Sequence, residues 1–410
     1  MAILTARGRT AIERMTWAAV FTPGLNGRWG LPLCFVGPPG CGKTSRQKGL
    51  VKAAGMLCEV VISSLRDPTD FLGLPVPTRV KLTAETAVLS ADADEEAVLM
   101  RYAPPQFAAR AALARRAVIV LDEVNTAPPA VQAALLRMVN EGVCGELELP
   151  PTVRFLLAMN PPAQAAGGWD IAPALANRLL WVEWPAPEPQ GFADYLIDIG
   201  AEEEAPANAR DVEAAVTAAW PAAWARAAGV MAGFIKAKPD ALQRQPPAAG
   251  TVAAWPTART NEMAARVMAG ADVWSLTPGE ELDLLAGAIG GGAAAELHTW
   301  RKNNDLPDPE ALLDGKVTFK HDPARLDRTA AVLASCTSMV VRPDCPNRPA
   351  RAEAMWGIHK GLTDEATDLA LSSVVALTKA RLVLGSKTAY GVLAKMEVVL
   401  TAAGVVPEAR

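Results

Sequence analysis

Two adjacent carboxylates and one lysine mark where this chain could do chemistry. Asp122 and Glu123 end the apolar run VIVL (118–121). Lys43 sits in a glycine-rich turn, GPPGCGKT (37–44), that follows a second apolar run, LCFV (33–36). Ending a buried strand in two acids is costly unless something cationic or polar meets them. The turn fits G-x-x-x-x-G-K-[ST] at every fixed position, and it lies between a strand and a helix expected to start near Thr44, the context that pattern requires. Backbone N–H groups of such a loop and of the helix N-terminus wrap phosphates. The expected cradle is Gly37, Pro38, Pro39, Gly40, Cys41, Gly42, Lys43, Thr44 and Ser45. Lys43 would reach the β- and γ-phosphates and Thr44 would ligate Mg²⁺. Asp122 would hold the same magnesium shell, and Glu123 would polarise a water for in-line attack on the γ-phosphate.

Such groups must be carried by strand tips facing one way. Residues 31–185 alternate strand-like runs with helical patterns, which predicts an α/β fold with a parallel sheet and crossover helices. The expected strands are Leu33 to Val36, Glu59 to Ser63, Ala117 to Leu121, Arg154 to Met159 and Leu180 to Glu183. The proline-rich PAPEPQ (185–190) then breaks the pattern. We expect three domains: a nucleotide-binding α/β domain over 1–190, a helical lid over 191–275 and a C-terminal helical extension over 276–410. In the extension, segments 279–302, 322–341, 363–384 and 386–403 carry helix-period apolar residues behind Pro, Asp, Thr or Ser start signals.

Composition excludes several other classes. The 410 residues carry a net charge of −4, with 50% hydrophobic and 20% charged residues. That balance gives no general attraction to nucleic acid or anionic lipid. No run approaches the roughly 18 apolar residues of a membrane span. Arg7, Arg9, Glu13 and Arg14 interrupt the first residues, so no signal-peptide core is expected and the cytoplasm is the default. The six cysteines form no C-x-x-C pair, and the three histidines show no metal-ligand spacing.

The stretch DEVNTAPPAVQAALLRMVNEG (122–142) resembles the acidic motif and following helix of MoxR-type AAA+ ATPases. The resemblance runs from the glycine loop to about residue 275 and thins beyond. It implies an AAA+ fold with a helical lid, ATP and Mg²⁺ as cofactors, and a homo-oligomeric ring, usually hexameric. It also implies remodelling of a client protein, often with a partner carrying a von Willebrand factor A domain. By the same resemblance Asn160 takes the sensor-1 position, where a polar tip helps place the attacking water. Arg178 takes the arginine-finger position, reaching a neighbour's site. Arg259 takes the lid sensor position, with Arg266 as its competitor, and Asn261 stands where relatives place an aromatic. Residues 66–107 look like the helix-2 insert of this clade, and VCGELELPP (143–151) occupies the place of its second hairpin, with Gly145 and Glu146 at the turn. A hairpin that tracks a nucleic-acid backbone needs Lys or Arg near its tip. This one offers Glu146 and Glu148, which favours a protein client. A motor subunit of a metal-chelatase complex and a nucleic-acid-directed NTPase are the alternative readings.

Overall fold

Nine strands are found among the described residues: β1 (Leu33–Val36), β2 (Leu57–Ile62), β3 (Leu74–Lys81), β4 (Glu96–Ala103), β5 (Ala117–Asp122), β6 (Val143–Cys144), β7 (Leu147–Glu148), β8 (Val153–Met159) and β9 (Leu180–Glu183). The computed structural model describes residues 10–402 except 25–26, 82–95, 165–167, 190–191, 193–206, 249–252, 304–305, 363–365 and 384. Five strands form one sheet in the order β2-β5-β8-β1-β9, with every pairing parallel. All seven residues of β8 are buried, as are the first five of β5. Strands covered on both faces are expected to read as continuous apolar runs rather than alternating ones. The parallel arrangement sends β1, β5 and β8 in one direction, so their carboxyl ends lie side by side.

The chain divides into two compact units. One is Ala6–Glu213 with Pro246–Ala253; the other is mainly Ala214–Gln245 and Ala254–Arg410. In the first unit the helices are α1 (Ala11–Val20), α2 (Lys43–Ala53), α3 (Thr69–Leu72), α4 (Gln106–Ala114), α5 (Pro129–Glu141) and α6 (Pro173–Ala176). Thr10 and Glu13 close a reciprocal capping box at the start of α1. α5 begins with proline at its first turn and stops at Gly142, which takes a left-handed conformation with φ +68°. That pairing uses proline where an N–H would be unsatisfied and glycine where a side chain would strain the backbone.

A buried charge sits on a central strand of the apolar sheet. The Arg154 side chain on β8 is fully buried and donates to Glu213 at 2.6 Å, to the Val20 carbonyl at 2.9 Å and to the Thr152 carbonyl at 2.7 Å. Its guanidinium also lies 4.9 Å from the centre of the Phe21 ring. Burial lowers its pKa, and the bond to Glu213 opposes that shift. A buried charge so fully satisfied is tolerable; removing its partner typically costs about 3–5 kcal/mol.

The expected insert contains a two-stranded antiparallel ribbon of β3 and β4, and residues 82–95 of it lie outside the described residues. β6 and β7 form the short second hairpin, with Gly145 at φ +65° in its turn. Glu146 is engaged with the insert: it accepts from Arg101 Nε at 2.5 Å and from the Tyr102 N–H at 3.1 Å, both on β4. The Arg101 bond holds its carboxyl below the usual range. The acid read from the sequence as a surface for a partner therefore also braces one hairpin against the other. Glu146→Ser is expected to speed amide exchange at Tyr102 and its β4 neighbours while the central strands keep their protection. Unchanged exchange in β4 would show that the brace carries no local stability.

α7 (Ala209–Ala237) belongs to the first unit up to Glu213 and to the second beyond it. The second unit continues with α8 (Ala258–Trp274), α9 (Pro278–Ile289), α10 (Gly291–Asn303), α11 (Pro309–Leu313), α12 (Leu326–Val340), α13 (Arg348–Lys360), α14 (Thr367–Lys379), α15 (Lys387–Lys395) and α16 (Glu397–Ala402). The single helix expected over 279–302 is two helices. Gly290 separates them at φ +83°, where an added Cβ would lie 2.5 Å from the Ala254 carbonyl oxygen. Likewise 386–403 holds α15 and α16 rather than one helix. Among the described residues no helix is long and apolar enough to cross a membrane.

Candidate active site

The carboxyl end of β1 runs into the glycine loop, and α2 starts at Lys43 behind Gly42, which takes φ +83°. Gly40 is also left-handed, at φ +75°, and an added Cβ at either position would meet nothing within 4 Å. These two glycines are required by backbone conformation rather than by crowding. Gly37 is the opposite case: its Cβ would lie 2.4 Å from the Trp184 carbonyl oxygen. Trp184, just past β9, also donates its indole N–H to the Cys41 carbonyl at 3.2 Å and packs edge-on against Phe35. The last strand thus braces the loop from the side.

Lys43 is nearly buried, and its ammonium donates to the carbonyls of Gly37 and Pro38, both at 2.7 Å, and to Asn160 Oδ1 at 3.1 Å. Asn160 follows β8, the strand between β1 and β5. Thr44 Oγ1 donates to Asp122 Oδ2 at 2.5 Å, joining the start of α2 to the tip of β5. A hydroxyl and a carboxylate brought together at the strand tip are donors that suit Mg²⁺, which takes few protein ligands and keeps several waters. The open loop, the helix start and the single lysine likewise fit a chain of phosphates. Bound magnesium would neutralise charge developing on the phosphoryl oxygens.

Glu123 has φ +54° and ψ +42°, a left-handed conformation uncommon for a residue with a side chain. It is exposed, and its Oε2 accepts from Ser64 Oγ at 2.5 Å. Strained backbone of this kind costs about 1–3 kcal/mol and persists where surrounding contacts fix it. Those contacts are visible: the Glu123 N–H donates to Asp122 Oδ1 at 2.9 Å, and Thr126 Oγ1 donates to the Glu123 carbonyl at 2.9 Å. Asn125, almost fully buried, donates from Nδ2 to the Asn160 carbonyl at 2.9 Å, tying the acidic turn to the tip of β8.

Sequence reasoning missed both Ser64 and Asn125. Their signals are a register and a motif. β2 pairs with β5 so that Ile62 stands opposite Asp122, which brings the residues just past each strand together. Asn125 belongs to the DEVNT motif, whose two acids draw the eye before its asparagine. If Glu123 holds the attacking water as the sequence leads one to expect, the Ser64 hydroxyl would compete with that water for its carboxylate. Ser64→Ala is therefore expected to change ATP turnover several-fold, in the upward direction, with little change in KM. A fall in turnover would instead make Ser64 an orienting partner of Glu123.

Arg178 lies in the turn between α6 and β9. Its Nε donates to Asn140 Oδ1 at 2.9 Å and Nη1 to the Ala174 carbonyl at 2.6 Å. Those bonds hold it beside the end of α5. Arg259 belongs to the second unit, exposed in the first turn of α8. Its competitor Arg266 is mostly buried near Glu262 at 3.8 Å, and burial lowers its pKa. Asn261, where an aromatic was expected, is buried and donates to the carbonyls of Ala241 and Thr257, both at 3.0 Å. A polar tether there fastens α8 to the preceding turn.

Residues 32–179 match the model of the AAA domain of the dynein-related subfamily. The matched span contains the glycine loop, both acids, Asn160 and Arg178. The chain thus carries an AAA+ ATPase domain, and the chemistry of that domain is ATP hydrolysis. No curated protein matches the chain. Among solved structures, a candidate ATPase from Cytophaga hutchinsonii is similar at 14% identity and TM-score 0.44, over 74% of this chain and 91% of that one. A likeness that loose carries no activity across.

Proposed function

We propose that the chain is the ATP-driven subunit of a MoxR-like homo-oligomeric ring, a hexamer in its usual form, that remodels or activates a client protein. A partner with a von Willebrand factor A domain delivers or presents that client. The observation that carries this reading is the DEVNTAPPAVQAALL motif placed against a complete phosphate cradle, with Thr44 bonded to Asp122 and Lys43 to Asn160. Arg178, bonded beside the end of α5 and next to α6, is assigned to a neighbouring protomer's site. The ring carries ATP and Mg²⁺ at each such site, and Arg259 of the lid takes part in sensing the phosphates.

The braced hairpins support a protein client over nucleic acid, because Arg101, a cation beside the short hairpin's turn, is already bound to Glu146. A motor subunit of a chelatase complex shares the core motif and is the second reading. The test is affinity capture from cells with Glu123→Gln as bait, in ATP and in ADP. Recovery of a von Willebrand factor A protein with ATP alone supports the proposal. Enrichment of chelatase subunits, or of nucleic acid that survives moderate salt, contradicts it.

A further inference from the structure

A cavity lies in the helical unit, outside the matched domain. It has a volume of about 310 Å³ and opens between the end of α13, the start of α14 and the face of α15. Three lysines line it, Lys360, Lys387 and Lys395, all exposed. Among the described residues none of the three has an ion-pair partner. The nearby carboxylate of Glu353 is already engaged, accepting from Thr388 at 2.6 Å and from Ser386, which hold its pKa down. Among the described residues, the cavity thus presents cations at its rim that no acid pairs with.

Its wall combines apolar side chains with two polar ones, Thr388 and His359. Val392 and Met396 are buried in the helical core, and both line the cavity. Beside them His359 is 5% exposed. Its Nδ1 lies 2.8 Å from the Met355 carbonyl, and a carbonyl only accepts, so Nδ1 carries the proton. Nε2 is then a bare acceptor, buried and without a hydrogen-bond partner. Burial pushes the imidazole down to about 4, so it stays neutral at ordinary pH. Buried polar atoms are nearly always satisfied, and an exception calls for an explanation such as a bound group. Concave, mostly apolar sites with a few convergent polar groups are where small ligands bind.

We infer that this cavity binds a small organic anion, its carboxylate or phosphate held by Lys360, Lys387 and Lys395, its apolar body against Val392 and Met396, and a hydroxyl or amino group donated to His359 Nε2. The ligand is amphipathic and carries its donor opposite its charge. Neutral His359 refuses a second anion at the inner end, which selects the orientation. The site is separate from the phosphate cradle and does not depend on the identity of the client.

Calorimetric titration of the full chain tests this, using 4-hydroxybenzoate, 4-hydroxyphenyl phosphate and benzoate. The Lys43→Ala background keeps the glycine loop from taking the phosphate. At least one hydroxylated probe should bind saturably at one site, and the tighter of the two identifies the head group. Lys387→Ala/Lys395→Ala, changed only at exposed positions, should weaken that binding about tenfold or more, roughly 1.4 kcal/mol. Benzoate should bind several-fold more weakly than 4-hydroxybenzoate, and His359→Phe should erase that difference. As a check that does not depend on a core substitution, the His359 ring resonance of the unsubstituted chain should shift on saturation. Absence of saturable binding by both hydroxylated probes, or equal binding by the double lysine variant, overturns the inference. Equal affinities for benzoate and 4-hydroxybenzoate overturn the role given to His359.

Discussion

Arg178→Ala is expected to bind ATP as the parent does and to hydrolyse it about 10³- to 10⁵-fold more slowly, the range an arginine supplied to a phosphoryl-transfer site is worth. The physical reason is charge: in the role proposed for it, the guanidinium would offset negative charge growing on the phosphoryl oxygens, and its loss would leave ground-state binding largely untouched. Arg178 is assigned to a neighbour's site, so its defect should be repairable. In mixed rings an Arg178→Ala protomer keeps Glu123, and a Glu123→Gln neighbour keeps Arg178. Mixing the two inactive proteins should restore measurable turnover. Subunit exchange is confirmed separately by fluorescence energy transfer. Exchange without recovered activity at any ratio would make Arg178 a residue of its own protomer. Its bonds to Asn140 and the Ala174 carbonyl would then be its purpose.

Glu123→Gln is expected to have the other large effect. The amide fills the same space and still accepts from Ser64, so the loop and the magnesium pair Thr44–Asp122 stay intact. It cannot take a proton from water, and general-base assistance is typically worth about 10²- to 10⁴-fold. ATP affinity should stay within a few-fold of the parent, and kcat should fall by that range. The left-handed backbone at Glu123 gives no reason for the variant to misfold, since glutamine meets the same conformational cost there.

Most of the site was legible because its parts are local. β1 and β9 run over the very residues expected, and β2, β5 and β8 differ only at their ends. The glycine loop and acid pair announce themselves by spacing and by the apolar runs before them. Contacts set by register were harder to read: Ser64 meets Glu123 only because β2 and β5 pair with Ile62 beside Asp122. In the helical extension α13 is not among the four helix-periodic segments read from the sequence. Its buried face carries Arg351 and His359 beside Ala352, Met355 and Trp356, and a period count reads such residues as exposed. Arg351 is tolerated there because Asp314 accepts from it at 2.9 Å and Glu310 at 3.3 Å, partners no local pattern reveals. The split at Gly290 was likewise invisible, since the crowding that demands glycine comes from Ala254, far back in the chain.

The claim that Glu123 activates water over a cradle built by Lys43, Thr44 and Asp122 is tested most directly by Mg²⁺-dependent ATP turnover of the parent and Glu123→Gln, with ATP binding measured in parallel. Trp184, bonded to the Cys41 carbonyl of the loop, provides a fluorescence report of nucleotide binding in both proteins. The account predicts matched ATP affinities and a kcat at least about a hundredfold lower in Glu123→Gln. Equal turnover in the two proteins at matched ATP occupancy would contradict it.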